Sequence, residues 1–118
     1  MEAKTAVAAL AALAQESRLA IYRLLVEAGP TGLAVGEIGA ALKVAPATLS
    51  FHLKELFHAG LVTTRQEGRF VYYSASYPRM DALLGYLTEN CCARDAVACG
   101  PSCAPAAKPR TTVKRRVK

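Results

Sequence analysis

Val44-Ala45-Pro46-Ala47-Thr48-Leu49-Ser50-Phe51-His52-Leu53-Lys54-Glu55-Leu56-Phe57-His58-Ala59-Gly60-Leu61-Val62 is the stretch on which the reading of this chain turns. Leu49, Leu53, Leu56 and Phe57 recur at helical spacing and predict one inward apolar stripe. Ala47, Thr48, Ser50, Phe51 and Lys54 fall on the other side. That outward face is small and hydroxyl-bearing near the helix start, as a major-groove reader requires. Bulk there would hold the helix away from the base edges, whereas hydroxyls and a lysine can bond bases and phosphates. Pro46 suits the first turn of the helix and Gly60 its C-terminal stop.

Beyond the stop, Leu61–Gln66 and Arg69–Ser74 are two β-rich runs around Glu67-Gly68, a hairpin with arginine at its tip. Upstream, Val35–Leu42 reads as a short helix weakened by glycine, and Lys43-Val44-Ala45 as the turn into the reader. His52 and His58 are six apart and lie on opposite sides of a helix, which argues against a shared ion. His52 is expected to meet a phosphate or to cap local packing.

Helix, turn, helix and hairpin in this order resemble a winged helix-turn-helix. The wording is more specific. Ser50-x-His52-Leu53-x-x-Leu56-x-x-Ala59-Gly60-Leu61-Val62, preceded by Arg18-Leu19-x-Ile21-x-x-Leu24-Leu25, resembles the ArsR/SmtB family of metal-responsive repressors over about residues 5 to 92. Ala45 stands where that family often has a capping serine, and Pro46 and Ala47 replace common polar base-contacting residues. The resemblance implies a mainly α fold with a small β-hairpin, dimeric through its N- and C-terminal helices. It also implies binding of double-stranded operator DNA through Lys43, Pro46, Ala47, Thr48, Ser50, Phe51, His52, Lys54, Arg65 and Arg69.

With 118 residues, 53% of them hydrophobic, the chain supports one domain with a modest core, and apolar helices left over should drive oligomerisation. No apolar run could span a bilayer, and Met1-Glu2-Ala3-Lys4 does not open a signal peptide, so a soluble cytoplasmic protein is expected. No acid–base pair, nucleophile triad or phosphate-cradling glycine loop points to an enzyme. The formal charge is +6, and Lys108, Arg110, Lys114, Arg115, Arg116 and Lys118 account for all of it; the remainder balances nine bases against nine acids. Residues 108–118 are therefore read as a disordered basic tail, and the DNA footprint must come from local placement of Lys43, Lys54, Arg65 and Arg69.

Residues 3–14 form an alanine-rich helix that is apolar nearly all round. Ser17–Ala28 is the next helix, with Leu19, Tyr22, Leu25 and Val26 expected inward, and Gly29-Pro30 ends it. Thr31–Ala34 is a linker or short strand. Pro78 opens a final helix running to Asn90, with Met80, Leu83, Leu84 and Leu87 as its stripe. Two metal sites known in the family are not expected here. Ala34, Gly36, Gly39 and Ala40 offer no ligand around Glu37-Ile38, and no histidine follows residue 58 to join Asp81 and Glu89.

All four cysteines lie in residues 91–103, and in a reducing cytoplasm such clustering favours metal binding or redox chemistry. Thiolates select soft ions. Trivalent arsenic takes three sulfurs in a pyramid and needs no fourth ligand. Adjacent Cys91 and Cys92 after Thr88-Glu89-Asn90 resemble the C-terminal arsenite site of one arsenic-responsive branch of the family, with Cys99 as the matching third ligand and Cys103 able to substitute. As(III) or Sb(III) is then the expected inducer; zinc, cadmium or thiol oxidation is the alternative signal. The expected organisation is a DNA-binding and dimerisation domain (1–92), a cysteine-bearing segment (93–107) that leaves the helix near Ala93, and the tail (108–118).

Overall fold

In the computed structural model, which describes residues 1–94, the order along the chain is α1 (Ala3–Leu13), α2 (Glu16–Ala28), β1 (Leu33–Ala34), α3 (Val35–Leu42), α4 (Pro46–His58), β2 (Val62–Glu67), β3 (Phe70–Ala75) and α5 (Tyr77–Thr88). The strands form one antiparallel sheet in the order β1-β3-β2. The fold is a mainly α winged helix-turn-helix. Residues up to Tyr86 form one unit; Leu87 begins a second, of which residues 87–94 are described.

The largest fully buried side chains are Ile21, Leu25, Ile38, Leu49, Leu53, Leu56 and Leu61. They come from α2, α3, α4 and the step into β2, so the core is the space those elements enclose. At about 1.5–3 kcal/mol per fully buried aliphatic side chain, this cluster is the main favourable term holding α4 in place. The expected phase of α2 is corrected here. Ile21 and Leu25, four apart, take the inward row with Tyr22, and Leu19, two residues before Ile21, is turned outward and stays 44% exposed.

Gln15 Oε1 accepts from the Arg18 amide at 2.9 Å and starts α2, and the Tyr77 hydroxyl donates to the Val26 carbonyl at 2.9 Å near its end. β1 pairs Leu33 with Tyr73 and Ala34 with Tyr72. This approach needs glycine at 32: its φ is +74°, and a Cβ there would collide with the Tyr73 carbonyl.

Ala6, Ala9 and Ala12 are the buried face of α1, and their small size lets that helix lie close to the core. Val7 and Leu10 then point out, as does Leu84 on α5, while Leu83 is buried. Of the stripe expected on α5, Leu83 is buried within the chain while Leu84 and Leu87 remain exposed.

Candidate nucleic-acid interface

The turn between α3 and α4 is closed by Val44 N–H donating to the Gly39 carbonyl at 3.1 Å, with Lys43 in the left-handed region at φ 56°. A Cβ on Gly39 would meet Leu49 Cδ2 and the Val44 carbonyl oxygen at 3.4 Å, the near edge of ordinary contact, so α3 passes close to the start of α4 here. Glu37 Oε1 accepts from the Ala34 amide at 2.8 Å, one half of a capping box; Ala34 has no side-chain acceptor to supply the other. Pro46 is the first residue of α4.

On α4 the inward row is Leu49, His52, Leu53 and Leu56. Pro46, Ala47, Thr48, Ser50, Phe51 and Lys54 are all exposed, as is Lys43 in the turn before them. Two side chains depart from the expected split. Phe57 is 47% exposed instead of joining the stripe, because Leu56 already fills the core at that level.

His52 is 7% exposed and packs with the core, unlike the exposed residues expected to contact DNA. Its Nδ1 lies 3.5 Å from Nη1 of Arg18, whose Nε donates to the Ala12 carbonyl at 2.7 Å. A guanidinium only donates, so Nδ1 must present its lone pair to make this contact. Local packing, the second of the two expectations for this ring, is what the structure supplies. His58 stays exposed on the other side of the helix.

The wing is β2 and β3 joined by Gly68 and Arg69. Glu67 pairs with Phe70, so the turn falls one residue later than the expected Glu67-Gly68, and Gly68 takes φ +62° as its first residue, the pattern of a type II′ hairpin. Val62 and Ala75 fix the inner face, and Thr63, Arg65 and Glu67 face Ser74, Tyr72 and Phe70 on the outer one. Thr63 and Ser74 hydroxyls meet at 3.0 Å.

Arg65 is not a loose cation. Its Nη1 donates to the Thr31 carbonyl at 3.1 Å, its Nε lies 2.9 Å from Glu67 Oε2, and its guanidinium carbon sits 4.8 Å from the Tyr72 ring centroid. Each contact is exposed and individually worth little. Together they fix the arginine against the base of the wing, leaving Arg69 as the exposed cation of the apex. Tyr72 and Thr31 carried no assignment from sequence. The Arg65–Tyr72 pairing follows once the turn is placed at Gly68-Arg69, because register sets them opposite.

α5 ends at Thr88, not Asn90, and the chain turns at once instead of near Ala93. Cys91 N–H donates to the Thr88 carbonyl and Ala93 N–H to the Asn90 carbonyl, both at 3.0 Å, with Asn90 and Cys92 each at φ 60°. Asparagine tolerates that conformation well, which is the local reason the helix stops. The turn sets Cys91 Sγ and Cys92 Sγ 3.7 Å apart. Burial first, then the hydrogen bond and the charge of Cys91, push the Cys92 thiol up from its ordinary value. Among the described residues no cluster of three or more His, Cys, Asp or Glu could hold an ion. Cys99 and Cys103, the expected third ligands, lie outside the described residues, as does the basic tail.

A helix-turn-helix domain model matches residues 13–65, the span from the end of α1 into the wing. The chain is 42% identical over 76 residues to the uncharacterized HTH-type transcriptional regulator YceK of Bacillus subtilis, covering 64% of this chain and 72% of that one. It is 35% identical over 81 residues to the arsenical resistance operon repressor of the same organism, covering 69% and 73% respectively. The chain belongs to the ArsR family of helix-turn-helix transcription regulators.

Relatives of this ArsR-family chain are named both as repressors and as an activator. The transcriptional activator HlyU of Vibrio cholerae is 37% identical over 87 residues, covering 74% of this chain and 78% of its own, and its solved structure superposes with a TM-score of 0.61 over 78% and 99% of the two chains. A homodimeric winged helix-turn-helix DNA-binding domain from Mycobacterium bovis superposes with a TM-score of 0.59 at 31% identity, covering 75% of this chain and 82% of that one. This ArsR-family chain is accordingly a DNA-binding regulator and not an enzyme. Among the described residues no helix is long and apolar enough to cross a membrane.

Proposed function

We propose that this ArsR-family chain is a homodimeric repressor that binds operator DNA through the outward face of α4 and the wing, and releases it when arsenite or antimonite binds Cys91, Cys92 and Cys99. The observation that carries the inducer reading is the 3.7 Å approach of Cys91 Sγ and Cys92 Sγ immediately after α5. Sulfurs sharing one ion must come within about 4 Å of each other, and this turn already holds two of them so. Two relatives, 35% and 42% identical, are named as arsenical resistance operon repressors, which supports the same reading. Exposed Val7 and Leu10 on α1 and Leu84 on α5 supply apolar surface for a second copy to cover, in keeping with the homodimeric relative.

Residues 93–107 would complete the metalloid site, and residues 108–118 would add sequence-independent attraction to phosphates. Zinc or cadmium is the second reading, because 3.7 Å is also close to the edge of a tetrahedral site with sulfurs about 2.3 Å from zinc. A mobility-shift assay on duplexes selected by the protein, with arsenite, antimonite, cadmium and zinc added in parallel, tests both. Release by the metalloids alone supports the proposal, release by the divalent ions alone favours the second reading, and unchanged binding in every lane refutes thiol-gated release.

A further inference from the structure

A cavity of about 330 Å³ opens between the first half of α1, the end of α4 and the start of α5, and its charged lining is all basic: Lys4, His58 and Arg79. Beside Thr5, the rest of the lining is Ala8, Ala59 and Gly60, so no large side chain fills it. Glycine at 60 is what admits Arg79. A Cβ there would lie 2.8 Å from Nη2 and 3.0 Å from Cζ of Arg79, so the guanidinium rests against the turn that stops α4. Ser76 Oγ, accepting from the Arg79 amide at 3.4 Å, holds that residue in the first turn of α5.

These bases are not neutralised. Among the described residues the one ion pair joins Arg65 to Glu67, and no acceptor engages the side chains of Lys4, His58 or Arg79. Glu2 and Glu55 line adjoining cavities that share Arg79 and His58 with this one, but neither closes an ion pair with them. Lys4 and Arg79 also sit in the first turns of α1 and α5, neither of which holds an acid. The positive end of a helix disfavours a cation there and favours an anion. Both positions run against local electrostatics, a conflict of the kind found at functional sites.

We infer that this cavity binds a phosphoryl dianion, either free phosphate or the phosphate of a small monoester. Arg79 offers a planar fork of donors for two phosphate oxygens, Lys4 a point charge and His58 a ring N–H. An adjoining cavity of about 550 Å³ meets this one at Thr5, Gly60 and Arg79, which leaves room for the organic part of an ester. Lys4 and Ala8 lie roughly 110° around α1 from Val7 and Leu10, so the site is separate from the apolar surface offered to a second copy. It uses no cysteine and does not rest on the metalloid reading.

Isothermal titration calorimetry of the full chain, with ionic strength held constant by chloride, tests the site with inorganic phosphate and glycerol 3-phosphate, and with glycerol as the neutral control. One or both anions should bind saturably, and Lys4→Gln and Arg79→Gln should each weaken that binding about 10-fold or more, the loss expected for a charge-assisted contact. Arg79→Lys should recover part of the loss. Arg23→Gln, which removes an exposed arginine of α2, should bind as the wild type does. Tighter binding of the ester makes a phosphate monoester the ligand, and equal or tighter binding of phosphate makes it the free ion. No saturable binding of either anion, or an affinity that Lys4→Gln and Arg79→Gln leave unchanged, overturns the site. Anions that fail to bind while Arg79→Gln weakens binding of a selected duplex would assign these bases to the DNA backbone and overturn it equally.

Discussion

His52 Nδ1 and Arg18 Nη1 meet at 3.5 Å, and that contact joins the reader helix to α2. The same guanidinium closes the end of α1 through the Ala12 carbonyl, so one side chain links α1, α2 and α4. His52→Ala should therefore lower stability by about 1–3 kcal/mol, from a lost buried contact and the cavity left behind. Urea denaturation reads this as a lower midpoint, while operator affinity of the folded protein stays within about 2-fold. Intact stability with lost affinity would return His52 to the DNA interface.

Tyr22 is buried, and its hydroxyl has no hydrogen-bond partner among the described residues. Burial first, then Tyr77 and Asp81, raise its pKa, so its surroundings disfavour the phenolate. Replacing a buried, unbonded hydroxyl by hydrogen removes a desolvation cost without opening a cavity. Tyr22→Phe should leave stability unchanged or raise it by up to about 1 kcal/mol. A thermal midpoint that falls by several degrees would mean the hydroxyl is bonded in solution.

On the reader face, Thr48, Ser50 and Lys54 are exposed together. Lys54→Ala should weaken binding across sequences and reduce the salt slope by about one, whereas Thr48→Ala or Ser50→Ala should relax preference at one or two base pairs. Selection of bound sequences from a random pool, compared with salt titrations, separates the two behaviours. A uniform loss in all three variants would show that α4 does not read bases.

Much of this surface was legible in the sequence, and the exceptions share a cause. Leu49, Leu53 and Leu56 repeat on one face, and Gly60 and Gly68 mark a stop and a turn, because these are local rules of period and backbone freedom. Where two residue types could serve, tertiary partners decided. Leu19 lost the core to Ile21, Phe57 yielded to Leu56, and His52 went inward to Arg18, none of which periodicity alone distinguishes. Arg65 was readable as a basic wing residue but not as one already engaged by Thr31, Glu67 and Tyr72, since Thr31 is 34 residues away in sequence. The end of α5 at Thr88 depends on positive φ at Asn90 and Cys92, which spacing does not encode.

The cysteine chemistry has a pH signature that distinguishes the ions. Three thiols exchange with arsenous acid to give the tris-thiolate and three waters, with no net proton released. Below the thiol pKa values affinity should therefore stay nearly flat, for instance between about pH 6 and 8, and fall once the thiols ionise. A divalent ion must displace the thiol protons, so its affinity climbs with pH. Because the Cys92 thiol is pushed up, it stays protonated to higher pH, which extends both the flat range for arsenite and the rising range for zinc. Ultraviolet thiolate-to-ion absorbance titrated at several pH values checks this, and a steep rise for arsenite would argue against the three-thiol exchange.

Release of DNA by a metalloid requires that the ion bind the free protein more tightly than the DNA-bound one, and the coupling is reciprocal. Anisotropy of a labelled operator duplex should therefore be titrated with the wild-type protein and with Cys91→Ser and Cys92→Ser, each with and without saturating arsenite. The wild-type Kd should rise about 5- to 150-fold with arsenite, while both variants bind DNA normally and show no rise. A wild-type Kd that is the same with and without arsenite, or serine variants that release DNA as readily as the wild type, would contradict a thiol-gated repressor.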